Sequence, residues 1–196
     1  DPSFDDKRES APYTQYLRAQ GFDGKNPWHD WANAAEGENG EILSGWKMRH
    51  ANLPARIPEQ HSETVYTTNR AIDFITEQGE KSWCLHLSYI KPHWPYIVSA
   101  PYHALYSTKS ILEAIRATPS EASKHPVYTA FRQHEESLNF SRDSVRLNVI
   151  PTYMGLIKQV DDQLGRLFDF LQSNGRWDDT LIVFTSDHGD FLGDHW

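Results

Sequence analysis

Apolar positions along the chain follow two periods. Between residues 146 and 173, Tyr153, Leu156, Ile157, Val160, Leu164, Leu167, Phe168 and Leu171 recur at steps of three and four, the stripe of an amphipathic helix. Pro151 is expected near its start or at a kink, and Asn174-Gly175 supplies the stop. Residues 62–78 repeat this period on Val65, Ile72 and Ile75, with Ser62 as cap, Glu63 in the first turn and Gly79 at the end. A shorter helix is expected over residues 10–20, capped by Ser10, with Pro12 in the first turn and Gly21 closing it. Each long helix is followed by an apolar run of strand length, at residues 83–90 and 180–184. The second run is rich in β-branched residues, as in a parallel strand buried on both faces. Helix then strand, twice over, predicts an α/β fold with a mostly parallel sheet flanked by helices.

The remaining stretches carry weaker patterns. Residues 101–106, 111–116 and 127–136 read as short helices, the last through a stripe of Val127, Ala130, Phe131 and His134. Residues 1–58 are rich in glycine, proline and tryptophan and read as loop beyond the first helix; Trp28, Trp31 and Trp46 are expected to pin that irregular segment to the core. The expected organisation is one partial domain over residues 1–196, with a loop-rich part at 1–58 and an α/β core at 59–196.

Composition narrows the function classes. A chain of 196 residues with 38% hydrophobic and 13% aromatic residues has the material for one sizeable core. A net charge of −8 without a basic cluster disfavours nucleic acid or an anionic membrane as partner, so an anionic substrate would require a local positive centre such as a metal. No apolar run reaches the roughly 20 residues of a membrane span. Cys84 is the single cysteine and has no intrachain partner, which suits a reducing compartment. A cytoplasmic location is therefore expected, with the periplasm as the alternative.

Candidate chemistry gathers where the two apolar runs end. Ligands of open α/β sheets bind beyond the carboxyl ends of the strands, where Asp187-His188-Gly189 and Lys91-Pro92-His93-Trp94-Pro95 arrive. A carboxylate and an imidazole side by side suit one divalent cation, and Gly189 permits a sharp turn beside them. The simpler reading of Asp187-His188-Gly189 is a polar turn, that of His93 a loop histidine between prolines, and that of Lys91 a solvated cation. His86 alternates with Leu85 and Leu87 and is expected to be buried and satisfied. Cys84, within Trp83-Cys84-Leu85-His86, is expected in the core. Of Asp161 and Asp162, adjacent on a helix, one is expected in solvent and the other bonded to a neighbouring loop.

Thr185-Ser186-Asp187-His188-Gly189-Asp190-Phe191-Leu192-Gly193-Asp194-His195 after an apolar strand resembles the second metal-ligand segment of the sulfatase branch of the alkaline phosphatase superfamily. Lys91-Pro92-His93-Trp94-Pro95 after Leu85-His86-Leu87-Ser88-Tyr89 is similar to that family's substrate-contacting loop. Gly155-Leu156-Ile157 through Asp161-Asp162-Gln163-Leu164-Gly165 is similar to the helix before the metal strand. Trp31-Ala32-Asn33, Leu43-Ser44-Gly45-Trp46 and His61-Ser62-Glu63-Thr64 resemble the bacterial phosphonate monoester hydrolase and arylsulfatase-like group.

The resemblance implies an alkaline phosphatase-type α/β sandwich, present as its central part, and a metal-dependent hydrolase of sulfate monoesters or phosphonate and phosphate esters. It implies Asp187 and His188 as metal ligands, His93 as the group that contacts the substrate anion and steadies or protonates the leaving oxygen, and Lys91 as a further substrate contact. Asp190, Asp194 and His195 would be turn or supporting groups. One divalent ion is implied, with manganese favoured by the imidazole ligand and calcium, magnesium or zinc as alternatives. The family nucleophile, a formylglycine made within a Cys-x-Pro-Ser-Arg-type motif, has no counterpart in these residues. The implied partners are a small anionic ester and the remainder of the catalytic domain, with a homo-oligomer compatible. The alternatives are a formylglycine-free phosphodiesterase or phosphomutase relative, and a non-catalytic binding module using the tryptophan-rich segment.

Overall fold

A computed structural model describes residues 12–116 and 125–194. Helix α1 spans Pro12–Ala19, so the expected Ser10 cap lies outside the described residues. A wide single turn, Trp28–Ala32, leads into an antiparallel hairpin of β1 (Ala34–Glu36) and β2 (Ile42–Ser44) with Ala35 opposite Leu43. Helix α2 (Glu63–Gln78) follows, then α3 (Pro126–Arg132), α4 (Glu135–Phe140) and the long α5 (Asp143–Ser173). A single tight turn at Tyr102–Ala104 stands within the helix expected over 101–106; another at Thr108–Ser110 precedes residues 111–116, which are not helical as expected.

The two long helices form where the apolar period places them. Ser62 Oγ accepts from the Val65 amide at 3.3 Å, satisfying an otherwise orphaned donor of α2. Gly79 ends α2 at φ 58°. Helix α5 begins three residues earlier than its sequence stripe, and Pro151 lies about two turns inside it. Proline has no N–H, so the Leu147 carbonyl four residues back loses its intrahelical donor. Leu147 faces outward, where water can serve that carbonyl.

Among the described residues, three apolar clusters make the interior. Tyr13, Leu17, Ile57 and Ile97 join α1 to the irregular N-terminal segment. Met48, Tyr96, Val98, Val149 and Leu156 seat α5 on that segment's far side. Ile75, Leu167 and Leu171 pack α2 against α5, with Trp83, Leu85 and Leu87 leaning on them.

The expected parallel sheet does not form as such among the described residues. Residues 83–90 alternate strictly: Trp83, Leu85, Leu87 and Tyr89 are half-buried toward the helices while Cys84, His86, Ser88 and Ile90 are exposed. That is the periodicity of a strand with one face covered. Among the described residues no neighbouring backbone pairs with it or with residues 180–186, and Leu181 and Val183 are 89% and 78% exposed. Burial on both faces requires a second layer and flanking strands, which the described residues do not provide. The same geometry corrects two side chains: Cys84 and His86 lie on the open face and are exposed, not core residues. In α3, Val127 and Phe131 are largely exposed, so the stripe read there does not bury.

A hairpin was also missed within residues 1–58. Asn39-Gly40, with Gly40 at φ 81°, is the turn dipeptide that signals it.

Gly155 marks the tightest contact of α5. A Cβ there would sit 2.3 Å from the Tyr102 carbonyl oxygen, whereas one at Gly165 meets nothing within 4 Å. Gly155→Ala is expected to cost about 1–3 kcal/mol in urea unfolding, as overpacking does. Gly165→Ala is expected to be neutral or to stabilise by up to about 1 kcal/mol through helix propensity. Equal effects of the two would contradict this packing.

Candidate active site

Residues 83–90 run into the Lys91-Pro92-His93-Trp94-Pro95 loop, and residues 180–186 run into Asp187-His188-Gly189. The His93 and His188 rings face each other with centroids 6.4 Å apart at an interplanar angle of 69°. Two polar segments far apart in sequence therefore converge at one end of the molecule, as strand ends of one sheet layer do.

The ring nitrogens of both histidines are differentiated by their hydrogen bonds. His93 Nδ1 lies 2.6 Å from the Trp94 carbonyl oxygen, and His188 Nδ1 lies 3.0 Å from the Gly189 carbonyl oxygen. A carbonyl only accepts, so each Nδ1 carries the proton. In the neutral ring, Nε2 is then the free lone pair. For His188 this is the tautomer that a metal ligand needs. The Gly189 carbonyl, and after it the Asp187 carboxylate, raise the His188 pKa. Asp187 Oδ2 stands 3.7 Å from His188 Nε2, while Asp187 Oδ1 accepts from the His188 amide at 3.0 Å. The side chain of Asp187 is 89% exposed and that of His188 is 59% exposed, so both keep donor atoms open. An oxygen and a nitrogen donor on one turn fit a divalent cation. Among the described residues no group of three or more His, Cys, Asp or Glu completes such a site, so these two are a partial ligand set.

The turn after this pair is held from α5. Arg146, almost wholly buried, donates from Nε to the Leu192 carbonyl at 3.0 Å and from its terminal nitrogen to the Leu112 carbonyl at 3.3 Å. Asp194 accepts from the Ile115 amide at 3.0 Å and stands 3.8 Å from Arg146. Burial first, and then the charge of the Asp190 carboxylate, raise the Tyr96 pKa. Asp194 thus ties this turn to residue 115 and to Arg146, and His195 lies outside the described residues. Asp162 accepts from the Tyr102 hydroxyl at 2.8 Å and pairs with Lys158, whereas Asp161 is exposed.

The Lys91 side chain turns inward, and Nζ donates to the Pro95 carbonyl at 2.7 Å and to Asn33 Oδ1 at 3.3 Å. Asn33 is buried and in turn donates from Nδ2 to the Trp28 carbonyl at 3.1 Å. Glu63 accepts from Trp28 Nε1 at 3.1 Å and lies close enough to act on Lys91 electrostatically. Lys91, Asn33 and Glu63, with Ser62 and Gln159, line a cavity of about 20 Å³, room for one water. The ammonium is thus satisfied by acceptors within the protein. Asn33 and Glu63 were not singled out as site residues from sequence; their signal is a polar residue at a position the fold buries.

The tryptophans serve packing, as expected. Trp46 packs edge-on to Trp94 at 4.5 Å and donates from Nε1 to His29 Nδ1 at 3.0 Å. Trp31 donates to the Asp23 carbonyl at 2.7 Å and stacks under the Arg56 guanidinium at 4.1 Å.

Solved structures share this architecture. A phosphonate monoester hydrolase from Silicibacter pomeroyi superposes with a TM-score of 0.78 at 27% identity, over 95% of this chain and 37% of its own. The phosphonate monoester hydrolase of Agrobacterium radiobacter gives 0.74 at 26% identity, over 94% and 37%. The fold is therefore the α/β fold of the alkaline phosphatase and sulfatase type. The Sulfatase family profile matches residues 4–196, and the chain belongs to that family. Among curated relatives, the multifunctional alkaline phosphatase superfamily protein PehA of Trinickia caryophylli is 40% identical over 72% of this chain and 30% of its own length. A choline-sulfatase of Rhizobium meliloti is 29% identical over 68% and 26%. The chain thus spans about a third of the length of these relatives.

Burial lowers Lys91 from its usual 10.5 to about 8, with Glu63 opposing. Between those values the unfolded chain binds more protons than the folded one, so stability gains with rising pH. Relative to Lys91→Met, the wild type is expected to gain stability from about pH 8 to about pH 10.5 in urea titrations. A pH-independent difference would show that the ammonium is not desolvated.

Proposed function

We propose that these residues form part of the catalytic centre of a metal-dependent hydrolase of sulfate monoesters or phosphonate and phosphate esters. The observation that carries this reading is the convergence of His93 on the Asp187-His188 pair, with Nε2 of both rings open. Membership of the Sulfatase family and likeness to phosphonate monoester hydrolases support the reaction class.

Asp187 and His188 Nε2 would hold one divalent ion, for which manganese suits the mixed oxygen and nitrogen donors. Bound there, the ion would supply positive charge to the non-bridging oxygens of the ester. His93, its Nδ1 proton fixed on the Trp94 carbonyl, would present Nε2 to the leaving oxygen, stabilising it when protonated. The sole cysteine, Cys84, lacks the following proline and arginine of a formylglycine motif. The nucleophile of this reading therefore lies outside these residues. The substrate is a small anionic ester.

In the complete gene product carrying these residues, Asp187→Ala or His188→Ala is expected to lower turnover of aryl sulfates or phosphonate monoesters about a thousandfold or more. His93→Ala is expected to lower it by roughly 10²–10⁴-fold. Chelation followed by readdition of manganese should abolish and restore activity. Near-normal turnover in either metal-site variant would sink the reading.

A further inference from the structure

The Lys91 ammonium performs a task that the proposed reaction leaves unassigned. It lies in the same five-residue loop as His93, two residues before it, and its head reaches the carbonyl of Pro95, two residues after. The side chain thus closes a ring across the base of the loop, with His93 at the open end. The same nitrogen is tied to Asn33, whose side chain is anchored on the Trp28 carbonyl and whose own carbonyl accepts from the Gly45 amide at 2.8 Å. Glu63, at the start of α2 and held by Trp28, supplies the opposing charge. One cation therefore joins the loop to the tryptophan turn and to the N-terminus of a long helix. A buried ammonium is costly unless paired and hydrogen-bonded, so such an arrangement is rigid when complete and disrupted when any member is lost.

We propose that Lys91 is a positioning residue for His93: by clamping the Pro95 carbonyl and Asn33 it fixes the loop so that the His93 ring faces His188. This rests on the reading of His93 as the group that serves the leaving oxygen. A displacement of about 1 Å in such a group costs as much as 10²-fold in rate. Lys91 acts only through His93, and its loss is felt in the chemical step, not in the capture of substrate.

The test is a double-mutant cycle in the complete gene product. Lys91→Met is expected to lower kcat roughly 10–100-fold with KM nearly unchanged. In a His93→Asn background the same change is expected to cost little further, because the group it positions is gone. Equal losses in both backgrounds, or a raised KM with kcat unchanged, would overturn the proposal; the latter would assign Lys91 to the substrate itself. Should Lys91→Met fail to unfold cooperatively, Lys91→Arg takes its place. It keeps the cation but cannot reproduce one nitrogen at both acceptors, and its partial loss should likewise vanish beside His93→Asn. If the wild type hydrolyses neither ester class, the functional reading fails, and the positioning role is read by NMR. The His93 ring signals should then shift or broaden in Lys91→Met while those of His103 and His134 stay. An unmoved His93 would overturn the role whatever the reaction.

Discussion

The structure depends on how the backbone of an irregular segment is satisfied away from water. Residues 47–62 have little regular structure, so their carbonyls lack ladder partners, and an unpaired buried carbonyl costs as much as a lost hydrogen bond. Helix α5 supplies the donors. Asn148 donates to the Met48 carbonyl at 2.6 Å and Thr152 to the Ala51 carbonyl at 2.7 Å. About two and three turns further along, Gln159 donates to Ser62 Oγ at 3.2 Å and Gln163 to Glu59 Oε1 at 3.3 Å. These polar side chains share a helix face with Val149, Leu156 and Leu167, so the apolar stripe and the hydrogen-bonding row bury together. The irregular segment is in this way as fixed as an element of secondary structure.

From that fixed segment the site follows. Asn33 and Trp28 hold Lys91 and Glu63, Lys91 holds the loop bearing His93, and Arg146 of α5 holds the turn that follows Asp187 and His188. Each candidate reactive group is thus exposed at its tip and gripped at its base. The partition suits charge stabilisation, in which donors must be in place before the ester arrives.

The sequence revealed the long helices better than the contacts between them. The period of three and four places α2 and α5 because both are long and bury one face, and Ser62 and Gly79 mark the ends of α2 by local chemistry. The runs at 83–90 and 180–184 were expected as strands but stand unpaired among the described residues, because pairing depends on neighbours that local pattern cannot supply. Cys84 and His86 were misread for the same reason, since alternation gives two faces without saying which is covered. The inward course of Lys91 was not legible, because a lysine's four-carbon stem reaches inward as easily as outward. Its acceptors, Asn33 and the Pro95 carbonyl, are visible only in three dimensions. Arg146, by contrast, sits three residues before Val149 on the buried face of α5, where a charge is expensive enough to mark it as a structural anchor.

The most direct test of the account is an anomalous difference map from crystals of the complete gene product grown with manganese, recorded at the manganese edge. The account predicts one peak within ligating distance of an Asp187 carboxylate oxygen and His188 Nε2, on the side that His93 faces. A peak bound elsewhere with this pair free, or an active enzyme with no peak at the pair, would contradict it.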